Sequence, residues 1–543
     1  MKKYEGNIVN IFDNTIFFGE ITVFEGRIFN LVKIKEEMAD APYFLPGFVD
    51  AHVHIESSML VPSQFGKMAV VHGTIGTVSD PHEIANVLGV KGVEFMIQNG
   101  ETIPFKFCFG APSCVPATEF ETAGAQISTS DIDRLLANPK IGYLAEMMNF
   151  PGVIYENEEV LAKIELSKKY NKPIDGHAPG LRGEQAAKYF SYGISTDHEC
   201  FTHDEAKEKL ELGVKILIRE GSAAKNFEAL IPLANEHSAQ MMFCSDDKHP
   251  DDLVEGHINL LVKRAVEGGL DVFKALRMAS LNPVRHYDLN IGLLREGEPA
   301  DFIEVNNLKD FKVISTYIDG NLVASKGQSF IEDIKAEKVN NFNAKAIKAD
   351  SIALTIPKDK NHIKTIKVND GQLITDSFLF ELKENTQAYL TQNDILKLVV
   401  YNRYTEASPS VAFINGFGIQ NGAIASSVAH DSHNIIAVGT SDEDIAEAIN
   451  LIVREKGGVS VVAQDKMGVL PLPIAGLMSD KNGYDVANDY TQIDRFAKTH
   501  LACSLKSPFM SLSFMALLVI PSLKLSDKGL FDGNTFEFTN IFE

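Results

Sequence analysis

Two histidines one residue apart, His52 and His54, stand at the end of an apolar stretch in GFVDAHVHIESSMLVP, residues 47–62. Side chains at i and i+2 of a strand point the same way. Both imidazoles can therefore reach one cation, as two ligands of a single metal must. Further along, imidazoles and carboxylates recur where other apolar runs stop: Glu146 in IGYLAEMMN, His177 in PIDGHAPG, His198 in GISTDHE and Asp246 in MMFCSDDKHP. Each histidine alone reads more readily as a core or surface residue. Four imidazoles and two carboxylates at the ends of one series of apolar segments read instead as a site. They suffice for two divalent cations bridged by a carboxylate and a water. Nitrogen and oxygen ligands without thiolate suit zinc, manganese and iron.

Further polar groups crowd the same segment ends. Asp80, His82 and Glu83 follow the second segment. They are expected to read a substrate or support a ligand, with helix capping as the plainer alternative. Glu56 is expected to hold the substrate's edge or to cap the helix that follows it. Arg182 in the loop after the fifth segment reads as a substrate clamp or a solvent-facing cation, and Ser222 in REGSAAKN as a hydroxyl donor or a turn. Asp247 should point opposite to Asp246, and Cys244 should lie in the core one layer below it. Much later, His430, Asp431 and His433 in AHDSHN lie between two apolar strands. That cluster closes over the site or forms a hydrogen-bonded turn.

Such groups need a frame that brings them to one place. Eight apolar segments recur in the block 46–284, at 47–54, 73–83, 104–113, 141–149, 173–180, 193–199, 214–222 and 241–250. Helical patterns such as NEEVLAKIELSKKY and DEAKEKLELG separate them. Strands alternating with helices read as βαβ units, and eight in about 240 residues have the count and size of a (β/α)8 barrel. In that α/β architecture the site lies at the C-terminal ends of the strands, where the acids and imidazoles fall here. An open doubly wound sheet is the weaker reading, since no GxGxxG follows the first strand. Residues 1–45 read as a meander too small to bury its own face. A second strand set at 285–335 is its expected partner, giving a small β-sandwich domain drawn from both flanks. A charged connector at 333–350 then leads into a C-terminal α+β domain over 340–543.

Composition narrows the function classes. With 543 residues, 45% of them hydrophobic, the chain has room for two or three domains. A net charge of −22 argues against nucleic-acid and anionic-membrane partners, which recruit clustered Lys and Arg. It leaves a small molecule as substrate and permits a homo-oligomer, which is the expected state. Five cysteines without CxxC spacing indicate neither a disulfide framework nor a thiolate zinc site, and they fit a reducing cytoplasm. The N-terminus lacks a signal peptide's apolar core. The most apolar run, 509–520, stops at Pro521, short of the ~20 residues a membrane-spanning helix needs. His54-Ile55-Glu56 matches half of the nucleoside-type zinc deaminase signature, but the PCxxC half is missing. No Walker A loop and no GxSxG elbow occurs.

PGFVDAHVH at 46–54, the acid on the fourth strand, the histidines on the fifth and sixth, Asp246 on the eighth and GEPADF at 297–302 resemble the amidohydrolase superfamily. Within it, nearly the whole chain is similar to the adenine deaminase family. SDPHEIANVLG (79–89), GHAPGLRG (176–183), IREGSAAKN (218–226) and SSVAHDSHNIIAVG (426–439) carry that likeness. The resemblance implies hydrolysis of adenine to hypoxanthine and ammonia by a metal-activated water at purine C6, a step of purine salvage. The implied ligands are His52, His54, Glu146, His177, His198 and Asp246. The expected cofactor is a binuclear divalent metal centre, manganese or iron first and zinc as the alternative. Asp246 is the expected general base, passing a proton to the departing amine. Glu146 is expected to bridge the metals, to protonate a ring nitrogen, or to do both at different stages. No lysine stands on the fourth strand, so a carboxylated-lysine bridge is excluded. Another hydrolase of this fold, acting on a cyclic amide or a different heterocycle, is the runner-up. An inactive purine-binding protein is the third reading.

Overall fold

The computed structural model describes residues 1–543 apart from 358, 384, 385 and 465. Chain order begins with four strands, β1 (Lys2–Asn10), β2 (Thr15–Phe24), β3 (Arg27–Glu36) and β4 (Tyr43–Pro46). Eight parallel strands follow: β5 (Phe48–Val53), β6 (Thr74–Ser79), β7 (Lys106–Ala111), β8 (Ile141–Met147), β9 (Ile174–Gly176), β10 (Thr196–Asp197), β11 (Lys215–Arg219) and β12 (Met241–Cys244). Two runs of parallel pairing, β5 to β9 and β10 to β12, close into a barrel. Ser195 N–H donates to Ile174 O at 2.9 Å across one seam. Across the other, Asp246 N–H donates to His52 O at 2.9 Å and His54 N–H to Asp246 O at 3.2 Å.

Strands buried on both faces read as continuous apolar runs, not as alternation, and every residue of β5, β6 and β12 is buried. Ala51, Val78, Tyr143, Leu217, Met242 and Cys244, drawn from five strands, form one buried cluster. It is the packed floor on which the site stands, and Cys244 belongs to it. The run 83–100 looks like one helix in sequence but folds as two, His82–Leu88 and Val90–Gly100. Gly89 between them adopts φ 62°, a left-handed conformation that only glycine takes without strain.

The chain's two flanks build one further sheet with β13 (Phe302–Val305), β14 (Val313–Ile318), β15 (Asn321–Ser325) and β16 (Gln328–Ser329), in the order β16-β15-β14-β13-β4-β1-β2-β3. β4 and β13 pair antiparallel, Tyr43 opposite Val305 and Pro46 opposite Phe302. The sheet curls over itself. Ile28 N–H donates to Glu298 O at 3.0 Å, and the Tyr4 ring lies 4.9 Å from that of Tyr317 inside the fold.

The C-terminal domain carries a second eight-stranded sheet. Helix Asp442–Glu455 packs Ile445, Ile449 and Ile452 against it, with the Ser441 side chain capping Asp444 N–H. The 17-residue helix Gly483–Thr499 is the element that sequence reading passed over. Its buried stripe of Val486, Tyr490, Ile493 and Ala497 is thin and interrupted by polar residues. It leans on the barrel, with the Tyr490 ring 4.6 Å from that of His249. Among the described residues no helix is long and apolar enough to cross a membrane.

Candidate active site

Every group of the expected ligand set is buried at the C-terminal end of the barrel. His52 lies in β5 and His54 just beyond it, and Glu146 lies in β8. His177, His198 and Asp246 follow β9, β10 and β12 within two residues. Asp246 has a left-handed backbone, φ 54°, held by its two hydrogen bonds to the first barrel strand. A non-glycine residue in that region persists only when its surroundings fix it, and such residues cluster at functional sites.

The geometry divides into two halves that share Glu146. On one side, His52 Nε2 and His54 Nε2 are 3.2 Å apart. His54 Nε2 lies 3.2 Å from both Glu146 Oε1 and Asp246 Oδ1. On the other side, Glu146 Oε2 is 2.6 Å from His177 Nδ1 and 3.3 Å from His198 Nε2. Ligands each about 2.1 Å from a tetrahedral cation lie about 3.4 Å apart, so the 3.2 and 3.3 Å spacings fit a shared cation, whereas the 2.6 Å contact of Glu146 with His177 is a hydrogen bond. His54 Nδ1 donates to Asp80 O at 3.1 Å, which leaves Nε2 with its lone pair facing the cluster. The donor set fits the binding of divalent metal.

Two residues absent from the sequence reading complete this cluster. Arg219 closes β11, is 1% exposed, and donates to Asp246 Oδ2 at 2.6 Å and to Glu199 Oε2 at 3.2 Å. Glu199 in turn lies 3.4 Å from His198 Nε2 and 3.7 Å from His177 Nδ1. Their signals were present: Arg219 directly follows the apolar run Ile216–Ile218, and Glu199 follows His198 directly. Burial alone would raise the Asp246 carboxyl. Arg219 and the imidazoles of His54 and His198 outweigh it and hold Asp246 well below the usual carboxylate range.

The rim is built by both domains. Asp80 accepts from His82 N–H at 3.1 Å and lies 3.0 Å from His82 Nδ1, so it orients that ring. Glu83 meets the C-terminal domain, with His430 Nδ1 2.5 Å from Oε1 and His433 Nε2 against Oε2. His433 Nδ1 accepts from Ala429 N–H at 3.1 Å, so its proton sits on Nε2 and is donated to Glu83. Burial pushes the His433 pKa down to about 4, and the ring stays neutral. Asp431 is 3% exposed and its Oδ2 has no hydrogen-bond partner among the described residues; its Oδ1 is 3.9 Å from His82 Nε2. Phe514 stacks on His430 with ring centroids 4.9 Å apart.

Three expected substrate contacts are placed elsewhere. Glu56 accepts from Ile84 N–H at 3.1 Å and so caps the helix start. Arg182 points to the surface, where its Nε donates to Glu208 at 2.9 Å. Ser222 bonds to Asp252 and accepts from His249 N–H at 2.8 Å, fixing a turn. Arg182 and Ser222 are each taken up by a carboxylate of a neighbouring helix, Glu208 and Asp252, whereas Glu56 Oε2 has no hydrogen-bond partner among the described residues. Asp247 accepts from Ser57 Oγ at 2.5 Å, yet it lines the same pocket as Asp246, with Oδ1 3.8 Å from His430 Nε2, so the expected opposite orientation does not take it out of the site.

Residues 43–323 match the Amidohydrolase family, and residues 372–537 match the Adenine deaminase C-terminal domain. An adenine deaminase of Sulfurovum sp. (strain NBC37-1) is 53% identical over 537 residues, covering 98% of each chain. Adenine deaminase of Methanosarcina mazei is 51% identical over 556 residues and covers 100% of each. That of Salinibacter ruber is 51% identical over 540 residues, with 99% of this chain and 98% of the relative covered. A matched barrel, a matched C-terminal domain and full-length relatives agree: the chain belongs to the adenine deaminase family of the amidohydrolases.

Proposed function

We propose that this chain hydrolyses adenine to hypoxanthine and ammonia. The observation that carries this reading is the full-length likeness to adenine deaminases, joined to a site in which Glu146 faces one histidine pair with each oxygen. His52, His54 and Asp246 would hold one divalent cation and His177 and His198 the other, with Glu146 shared. Cations bound there would lower the pKa of water from ~16 toward ~7 and so supply the nucleophile at neutral pH. Manganese or iron suits this oxygen and nitrogen set, with zinc as the alternative.

Asp246 Oδ2 is tied to Arg219, which leaves Oδ1 facing the histidines. That oxygen takes the proton of the attacking water and passes it to the amine departing from C6. Glu146 faces histidines with both oxygens, which supports its being shared between the two cations over its protonating a ring nitrogen. His82 and Asp431 face the same pocket and would meet the edge of the purine ring. His430 and His433 hold Glu83 from within the same chain, which makes the C-terminal domain the roof of its own barrel. Five free cysteines fit a reducing compartment, in keeping with a cytoplasmic enzyme of purine salvage.

Metal analysis together with ammonia release from adenine tests the reading. A bound pair of divalent cations and stoichiometric hypoxanthine are expected. Bound metal with turnover of another heterocycle instead would replace adenine by the alternative substrate class. A metal-free protein that binds purine without turnover would replace the enzyme by a binding module.

A further inference from the structure

The pocket at the metal-ligand cluster has a cavity volume of only about 30 Å³. A water needs ~10–15 Å³ of such space, so this is room for about two waters. A bicyclic purine cannot reach the cluster with the walls where they stand. Next to it lies a cavity of about 670 Å³, within the range of small-molecule sites. It runs between the loops of the barrel mouth and the C-terminal domain and is lined by Phe150, Phe201, Phe536, Val519 and Ile374, with Asn534 among the polar groups. Met148 and Leu373 line both spaces. Three further cavities, around Lys106, Ala117 and Val313, share no lining residue with the metal pocket.

We infer that the 670 Å³ cavity is an antechamber for an uncharged planar heterocycle, from which the purine reaches the metal pocket when the Met148 and Leu373 side chains swing aside. The chemistry of the lining selects the occupant. Three aromatic rings offer flat apolar surface to a π-system, and the Asn149 and Asn534 amides offer hydrogen bonds to ring nitrogens, while Glu205, the charged group of the lining, is paired with Lys209 at 2.8 Å. The wall is built to move at its side chains and not at its backbone. Lys524 is fully buried, and its Nζ donates to Leu373 O at 2.8 Å and to Phe514 O at 3.1 Å. Leu373 and Phe514, both facing the metal pocket, are thus pinned by their carbonyls to one buried amine. Methionine opposite, with three rotatable bonds, is the most adaptable apolar side chain for the other half of the wall.

This inference takes its substrate from the deaminase reading and tests separately from it. Ile374→Trp and Asn534→Trp fill the outer cavity from two sides and touch neither the metal ligands nor the groups facing the purine. Each is expected to lower kcat/KM for adenine about tenfold. Bound metal and the single-turnover rate of adenine already bound should stay at wild-type values. Leu373→Ala, which opens the wall, should raise the association rate. Wild-type kcat/KM in both tryptophan variants with bound metal intact would overturn the antechamber. Should the wild type act on a different heterocycle, the same comparison with that substrate decides the route, and only the adenine assignment falls.

Discussion

Glu146 is the residue on which the two halves of the site meet, and Asp246 is the one on which turnover depends. Asp246→Asn keeps the shape and the hydrogen bond to Arg219 but removes the basic oxygen. Turnover should fall by about 10²–10⁴, measured as ammonia release at saturating adenine, whereas a near-normal rate would refute the assignment. His433→Ala removes the neutral donor that holds Glu83 from the roof. The Michaelis constant should rise while metal content stays unchanged; an unaltered Michaelis constant would show that the roof does not shape the pocket. At this scale the sequence was informative where an imidazole or carboxylate interrupts an apolar run. It was less so for side chains with a choice of partners. Arg182 lies in a loop that faces Glu208, while Arg219, which looks like an ordinary strand-end cation, turns inward between two acids. Which way a long side chain turns depends on neighbours distant in sequence.

Elements hold the ligands through buried cations. The helix His203–Glu211 sends Lys209, fully buried, to Ala178 O at 2.7 Å, Asp197 Oδ2 at 2.5 Å and Glu205 Oε1 at 2.8 Å. Glu205 in turn accepts from Gly180 N–H at 2.9 Å, so one ammonium ties together the loops that carry His177 and His198. Lys209→Met strands two buried carboxylates, a loss of about 3–5 kcal/mol. The melting temperature should drop, and the half of the site built on His177 and His198 should lose its cation first. Full metal content in a folded variant would remove Lys209 from that role. Lys524 behaves differently, having carbonyls but no acid around it. Burial pushes its pKa down to about 7. Between that value and the unfolded one near 10.4, the unfolded chain binds more protons, so stability rises with pH. The melting temperature of the wild type relative to Lys524→Met should therefore increase from pH 7 to pH 10. A constant difference would mean that the ammonium stays charged. Helix 483–499 illustrates what element-level reading misses, since its apolar stripe makes sense only against the barrel surface it covers.

At the scale of the molecule, metal binding and folding are linked, because the six ligands converge from five strands spread over about 200 residues of sequence and meet only in the native state. Chelation should lower the melting temperature, and restoring metal at about 100 times its dissociation constant should return about 2.7 kcal/mol. A melting curve indifferent to chelator would show a site that is complete without cations. The barrel was legible because eight apolar segments at regular spacing leave few other arrangements. The pairing of the flanking strands rested on a different logic, in which neither meander can bury its face alone. β4 finds β13 only after the entire barrel has been made. On a ribosome adding about 5–20 residues per second, β1–β4 therefore wait on the order of tens of seconds for their partner. These strands, translated before the barrel, are among the last to be completed, and until then they present an open sheet edge to other nascent chains. Chaperone capture of the N-terminal meander, released once residue 305 clears the exit tunnel, is the natural consequence of a sheet whose two halves bracket the enzyme.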